Sequence, residues 1–346
     1  MMNFLEDNRK ALEAFKRISS IVGARVDYVQ GGGGNTSVKL GNGLMAIKAS
    51  GYCLKDIDID KAYAVVDGAA LRKFFYENTL NKLGEDAEKI GTAKVKESIK
   101  AIDGLAAVRP SVEAGFHSVL DKFVVHTHPI WGNLATCCQD CEAIVAEAMR
   151  GANYTYGVVP YADPGTCLTF YIRDEIERVT EETGKRPAII FLKNHGVIVH
   201  GDDPERCLGL QEDVNQRVAM VFDLTVGQLP DMKAFLTDKI KTGEYGERFF
   251  LEESLYPDQI VFLKDTLSFG RGKPAEGCCV VNPDDGTLYF NMPESKAKVI
   301  LETMFCVAFI ANVLKENGKV LATMGEAAKR FIANWESEKY RKSLAG

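Results

Sequence analysis

One short stretch constrains this chain more than any other, because it places two histidines on one face of an extended backbone. Residues 124–129 read Val-Val-His-Thr-His-Pro. The valines predict a buried strand, and the proline ends it. Alternate side chains of a strand share a face, with Cα atoms about 7 Å apart, so His126 and His128 can reach one metal ion. The pattern predicts a divalent-metal site. The alternative is a histidine pair that bonds only to backbone carbonyls.

A third histidine and a carboxylate could complete such a site. His195 lies in Asn-His-Gly between two apolar runs, as expected at a turn between buried strands. Three neutral nitrogen ligands with an open position are typical of a catalytic zinc rather than a structural one. The segment after Pro110 predicts a helix start, with proline in the first turn and Glu113 at its positive end. We expect Glu113 to act at the site, with helix capping as the alternative, and His117 to pack beside it rather than bind metal.

A glycine-rich stretch predicts a place where backbone amides approach an anion. Residues 31–34 are all glycine, and Asn-Thr-Ser follows at 35–37. Open backbone and short polar side chains suit a phosphate. The Gly-Lys-Ser/Thr ending of a nucleotide P-loop is missing. A second candidate is the Ser50-Gly51 turn after a strand, where Lys48 could add a charge. A plain flexible glycine loop is the alternative.

Composition excludes some kinds of partner. The chain has 346 residues and a formal net charge of -6, and no run of Lys or Arg exceeds two residues. Nucleic acid and anionic membranes are therefore not expected as partners. The N-terminal residues lack the pattern of a secretory signal, and we expect no apolar stretch of membrane-spanning length. Nine scattered cysteines suit a reducing compartment. We expect a cytoplasmic protein, with Cys138 and Cys141 as incidental thiols.

The order of predicted elements favours a mixed fold. Many strands follow one another without an intervening helix, which predicts an α/β fold of the α+β type, with a central, mostly antiparallel or mixed sheet covered by helices. An amphipathic opening helix should bury Leu12, Phe15, Ile18 and Ile21.

The character of the sequence changes near residue 229. We predict a catalytic domain at 1–228 and a small accessory α+β extension at 229–346 without metal ligands. Within the extension, 277–290 predicts two strands around an Asp-Asp-Gly turn. Helices are expected at 294–316 and 325–342.

The candidate residues together define a chemistry. Three imidazoles, a carboxylate and a phosphate cradle suit a metal-polarised carbonyl whose neighbouring carbon–carbon bond breaks, while Glu113 moves the proton. Retro-aldol cleavage of a phosphorylated ketose needs these parts.

At these residues the chain resembles the zinc-dependent class II aldolase/adducin family. Its sugar members cleave L-fuculose 1-phosphate and L-rhamnulose 1-phosphate or epimerise L-ribulose 5-phosphate. The resemblance spans about residues 10–225. It rests on five motifs in the family's order, at residues 34–37, 50–51, 110–113, 125–129 and 194–196. It implies one Zn²⁺ per subunit on His126, His128 and His195, with Glu113 as the acid/base. It also implies that phosphate is held by Gly34, Asn35, Ser50, Gly51 and Ser111.

Two departures from the family pattern bear on the reaction. The family's Pro-Ser-Ser-Glu reads Pro-Ser-Val-Glu here, so Val112 removes one hydroxyl, for which Lys48 could compensate. The resemblance also implies a homotetramer in which a neighbouring subunit gives a second proton donor. The candidates for this donor are Glu142, Glu147, Tyr154 and Tyr156.

The leading prediction is an aldolase that yields dihydroxyacetone phosphate and an aldehyde. A sugar-phosphate 4-epimerase, a sugar-acid-phosphate decarboxylase or a dehydratase could use the same site. A Schiff base on Lys193 is conceivable, although a strand-end lysine that reaches solvent is the expected arrangement. A non-catalytic adducin-like binding module is the alternative from another class, and the intact histidine set argues against it.

Overall fold

A seven-stranded mixed sheet forms the centre of the chain. The computed structural model describes residues 4–334. The strand order is β3-β2-β1-β4-β7-β6-β5, and only the β5–β6 pair of this sheet is parallel. The predicted fold class is confirmed. The strands are β1 Asn35–Lys39, β2 Leu44–Lys48, β3 Tyr63–Asp67, β4 Phe123–Thr127, β5 Tyr156–Val159, β6 Ile189–Leu192 and β7 Gly196–Gly201.

Helices cover both faces of this sheet. In β4, Val125 belongs to the core on one face and Val124 to the core on the other, as strand alternation requires. The helices of this part of the chain are α1 Phe4–Asp7, α2 Arg9–Gly23, α3 Gly68–Glu77, α4 Leu80–Leu83, α5 Ala87–Glu97, α6 Ala114–Val119, α7 Ile130–Thr136, α8 Cys141–Ala148, α9 Thr166–Thr183 and α10 Pro204–Val221.

The opening helix is correct in place but wrong in one residue of its buried face. In α2, Leu12, Phe15 and Ile18 are buried, whereas Ile21 is 41% exposed. Val22 takes the expected place in the core, because it lies four residues after Ile18 and continues the apolar stripe.

The chain after residue 229 adds a small sheet and further helices. The predicted strand pair and the helix at 294–316 are present. The predicted tail helix begins at Glu326, and its part after Asn334 lies outside the described residues. The second sheet has the order β10-β9-β8. The elements are α11 Met232–Lys241, α12 Glu247–Leu251, α13 Pro257–Leu263, β8 Leu267–Phe269, β9 Cys278–Val281, β10 Leu288–Asn291, α14 Glu294–Glu316 and α15 Glu326–Asn334.

Helix α14 joins this segment to the rest of the core. The ring of Phe309 lies 5.9 Å from that of Trp131 in α7, edge to face, and both side chains belong to one buried cluster. By length and hydropathy α14 could cross a membrane, so the prediction that no stretch reaches that length is wrong. However, 78% of its apolar window is buried inside the protein, as in a core helix. The predicted domain boundary at 229 stays a prediction.

Candidate metal centre

The sheet brings the three predicted histidines together. His126 is in β4, His128 follows that strand, and His195 lies in the turn between β6 and β7. Strand β4 pairs with β7 in the register His126 to Ile198, which sets the turn beside the His-x-His strand. One ring nitrogen from each histidine lies within 4.8 Å of the other two, and all three side chains are buried. The residues can therefore hold one metal ion.

The hydrogen bonds of two rings leave their other nitrogens facing each other. His126 Nδ1 donates to the carbonyl oxygen of Val197 at 3.2 Å, and His128 Nδ1 donates to Asp258 Oδ2 at 2.5 Å. Since a carbonyl and a carboxylate only accept, each ring keeps its lone pair on Nε2. The two Nε2 atoms are 3.1 Å apart. Two lone pairs at this distance repel unless a cation lies between them. A tetrahedral zinc site sets its nitrogens about 3.3 Å apart, so this pair of nitrogens fits such an ion.

Glu113 lies at the edge of the histidine group. Its Oε1 is 3.3 Å from His195 Nε2, and its Oε2 is 3.6 Å from His126 Nε2. Glu113 precedes the first residue of α6, at Ala114. The prediction that Pro110 stands in the first turn of this helix is wrong, because Pro110 instead forms a bridge with Ala49 at the end of β2.

Asn35 connects this carboxylate to a buried polar network. Its Nδ2 donates to Glu113 Oε2 at 2.5 Å and to Ser111 Oγ at 3.1 Å. Its Oδ1 accepts from His117 Nε2, and His117 Nδ1 accepts from the Ser37 hydroxyl at 2.7 Å. Burial, assisted by nearby cationic groups, holds the pKa of His117 well below its usual value. His117 thus bonds to Asn35 and is not one of the three grouped histidines, as the sequence predicts.

The predicted phosphate residues line one pocket with Glu113 and with two of the three predicted metal ligands, His128 and His195. Its cavity volume is about 40 Å³. The Ala49–Pro110 bridge brings the Ser50-Gly51 turn beside Ser111. Val112 lines the same wall. The other lining residues among the predicted set are Gly34, Asn35, Glu113, His128 and His195.

Lys48 and Gly34 fix the floor of this pocket. Lys48 is 3% exposed, and its Nζ donates to the carbonyl oxygens of Gly32 at 3.1 Å and Tyr52 at 2.7 Å. Gly34 has a φ of +62°, and a Cβ there would lie 2.6 Å from the carbonyl oxygen of His126. A side chain at position 34 would therefore separate the glycine loop from β4.

The structure places one further residue beside the three histidines that the sequence did not indicate. Asp258, in the first turn of α13, is fully buried against His128. In the sequence it follows Pro257 and looks like an ordinary helix-start acid. Its role depends on a contact between residues 130 positions apart, for which no local pattern exists.

Three other groups that the sequence singled out are either paired with another side chain or buried. Lys193 pairs with Glu142 at 3.1 Å with its side chain 24% exposed, which is the expected solvent-reaching arrangement. Burial raises the pKa of the Cys141 thiol to about 12, and the cysteines of the described residues are free. The Tyr154 hydroxyl donates to Asp213 at 2.5 Å.

The fold agrees with comparisons between this chain and known proteins. Residues 19–221 match the family described as Class II Aldolase and Adducin N-terminal domain. The chain belongs to this family, because the match covers more than half of its length.

Three proteins to which this chain is similar have different names. The 3-oxo-tetronate 4-phosphate decarboxylase of Escherichia coli K12 is 23% identical over 258 residues, which are 68% of this chain and 100% of that protein. The N-terminal class II aldolase domain of a conserved protein from Thermoplasma acidophilum superposes with a TM-score of 0.50 at 22% identity, covering 61% of this chain and 92% of that one. An L-fuculose-1-phosphate aldolase from Thermus thermophilus aligns with a TM-score of 0.36 at 14% identity, covering 60% of this chain and 92% of that one.

Proposed function

We propose that this protein is a metal-dependent lyase that breaks the carbon–carbon bond beside the carbonyl of a small sugar phosphate. The proposal is carried by the position of Glu113, within 3.6 Å of Nε2 atoms of two imidazoles and in the same pocket as the phosphate cradle. His126, His128 and His195 would hold the ion, which we propose to be one Zn²⁺ per subunit. When bound, a divalent ion there polarises a carbonyl and stabilises negative charge on its oxygen.

The other residues of the pocket would transfer the proton and bind the phosphate. Glu113 moves a proton to or from the substrate carbon beside the carbonyl. Asn35 holds that carboxylate in place through its amide hydrogens. The hydroxyls of Ser50 and Ser111, the backbone at Gly34 and Gly51 and the Lys48 ammonium would bind the phosphate and fix its distance from the reacting carbon.

Two substrate classes would give the same three-carbon product. Retro-aldol cleavage of a ketose 1-phosphate releases an aldehyde, and decarboxylation of a 3-oxo-tetronate 4-phosphate releases carbon dioxide. In both, the electron pair of the broken bond moves into the neighbouring carbonyl and leaves an enediolate. One proton added at carbon then gives dihydroxyacetone phosphate. The motifs favour the first reaction, and the full-length match to the Escherichia coli decarboxylase supports the second.

The two reactions differ in the proton transfers they require. Decarboxylation needs only the final protonation, which Glu113 can supply alone. Retro-aldol cleavage also needs a base for the hydroxyl proton of the departing aldehyde. In the described part of the chain, Asp258 is the other carboxylate in this pocket, and it already binds His128. The aldolase reaction would therefore use a group from a neighbouring subunit. We propose that the protein is a homotetramer and that it is cytoplasmic.

The test is formation of dihydroxyacetone phosphate by the purified, zinc-loaded protein from substrates of both classes. It is followed by coupled reduction with NADH. Release of carbon dioxide or of an aldehyde then identifies the class. We expect a chelator to stop the reaction and Glu113→Gln to slow it by about 10²- to 10⁴-fold, since proton transfer by a positioned side chain contributes that much.

Glu175→Gln is the matched control. Its carboxylate is mostly buried and accepts from the backbone N–H of Val158 outside the pocket, so activity should stay near wild type. Undiminished activity of Glu113→Gln would contradict the proposal. A 4-epimer without any dihydroxyacetone phosphate would identify an epimerase, and absence of both metal and turnover would favour the adducin-like binding role.

A further inference from the structure

The carboxylate of Asp258 reaches the candidate metal centre from the C-terminal segment, which is residues 229–334 of the described chain. Its Oδ2 accepts the Nδ1 proton of His128 at 2.5 Å, and both side chains are buried. The contact joins α13 to the end of β4 across 130 residues of sequence. A carboxylate in this position keeps the ring proton on Nδ1, and the lone pair stays on the Nε2 that faces His126.

The glycine loop makes room for this carboxylate. A Cβ on Gly33 would lie 2.3 Å from Asp258 Oδ2, and a Cβ on Gly31 would lie 2.7 Å from Val299 Cγ1 in α14. The interpretation of the glycine run as a phosphate cradle is therefore incomplete. Two of its members lack side chains because the C-terminal helices pack directly on the loop.

The same segment also holds the turn that carries His195. Asn194 has a φ of +53°, and its Nδ2 donates to the carbonyl oxygens of Leu255 at 3.0 Å and Ala322 at 2.7 Å. The C-terminal segment thus fixes one candidate ligand through a carboxylate and a second through the neighbouring residue.

We infer that Asp258 is a positioning residue of the metal centre, through which the C-terminal segment sets metal affinity. The inference rests on the proposed metal site. A carboxylate on the outer nitrogen of a metal-binding imidazole orients the ring and makes its inner nitrogen more basic. Loss of such a partner typically lowers metal affinity about 10- to 100-fold.

Metal affinity without substrate tests the inference directly. The metal-free full-length protein is titrated with Zn²⁺ in competition with a chromophoric chelator. We expect Asp258→Ala to weaken binding by about 10- to 100-fold. Asp258→Asn should weaken it less, because an amide oxygen accepts the same proton without the charge.

Phe305→Leu is the matched control. Phe305 lies in α14, is fully buried like Asp258, and packs its ring against those of Phe235 and Phe309 in the same segment. It should lower the urea midpoint of the metal-free protein but leave zinc affinity within about twofold of wild type, since these ring contacts lie outside the candidate metal centre. A merely structural role for Asp258 predicts that both variants lose stability and affinity together.

A second route removes the same contact from the other side. Gly33→Ala should displace the Asp258 carboxylate and weaken zinc binding, and the Gly33→Ala, Asp258→Ala double variant should bind no more weakly than Asp258→Ala alone. Unchanged zinc affinity of folded Asp258→Ala, or equal loss in Phe305→Leu, would overturn the inference. Failure of the wild type to bind one zinc, or wild-type binding by His126→Ala, would instead overturn the metal centre itself.

Discussion

Replacing His117 by glutamine should make stability less dependent on pH below neutrality. His117 is fully buried, and burial holds its pKa well below 6.5. The folded protein therefore keeps this imidazole neutral, whereas the unfolded chain takes up a proton as the pH falls below about 6.5. A depressed histidine pKa stabilises the folded state above that pH, and this contribution is lost as the pH falls towards the folded-state pKa. Glutamine can still donate to Asn35 but does not titrate.

The size of the effect follows from one proton. Each proton bound only by the unfolded chain costs about 1.4 kcal/mol of stability per pH unit. Between pH 7 and pH 5 the wild type should lose about 2 kcal/mol more than His117→Gln, given an unfolded pKa near 6.5. All other titrating groups are common to both proteins, so the difference isolates this residue.

Urea unfolding of the metal-free proteins at pH 7, 6 and 5 measures this difference. Phe116→Leu is the control, because the Phe116 ring stacks on His117 at 4.7 Å and does not titrate. It should lower stability equally at every pH. Parallel curves for the wild type and His117→Gln would refute the reasoning and would show that the folded protein binds the proton as well.

Three further changes test hydrogen bonds around the pocket. Asn35→Ala removes a charge-assisted hydrogen bond to Glu113 that is worth about 1.5–3 kcal/mol. It should lower kcat/KM roughly 10- to 100-fold in the dihydroxyacetone phosphate assay. A change under twofold would count against a role for Asn35 in holding Glu113. Lys48→Met should raise KM for the phosphorylated substrate about tenfold with little change in kcat. A fall in kcat alone would show that Lys48 does not bind the phosphate. Tyr256→Phe takes a buried donor from Gln30 Oε1 at 3.2 Å and should cost about 1–3 kcal/mol in urea unfolding, whereas an unchanged midpoint would disprove that bond's importance.

The sequence predicted the part of the site that depends on local geometry. His126 and His128 share a face because strand residues alternate, and Asn-His-Gly between two apolar runs identified the turn of His195. Asn35 pairs with His126 in the β1–β4 register, so the glycine-loop motif and the histidine motif meet through strand pairing. The roles of these residues stay predictions, while their proximity is observed.

The sequence could not predict contacts that depend on packing between distant segments. Nothing near Asp258 distinguishes it from an ordinary acid at a helix start, and its partner His128 lies far away in the chain. The glycine run at 31–34 predicts a ligand-binding loop, whereas a Cβ on Gly31 or Gly33 would first meet the side chain of Val299 or Asp258. Val22 replaced Ile21 in the core because helical spacing leaves two adjacent apolar residues to compete for one face.

The span between His128 and Asp258 also bears on when the centre can form in a cell. Ribosomes add about 5–20 residues per second, so the 130 positions between the ring and its carboxylate take roughly 6.5 to 26 s to synthesise. During that interval the nascent chain carries His126 and His128 but not the group that orients the second ring. On the inference above, tight metal binding requires that α13 has been synthesised and packed against β4, so shorter nascent chains would bind the metal more weakly.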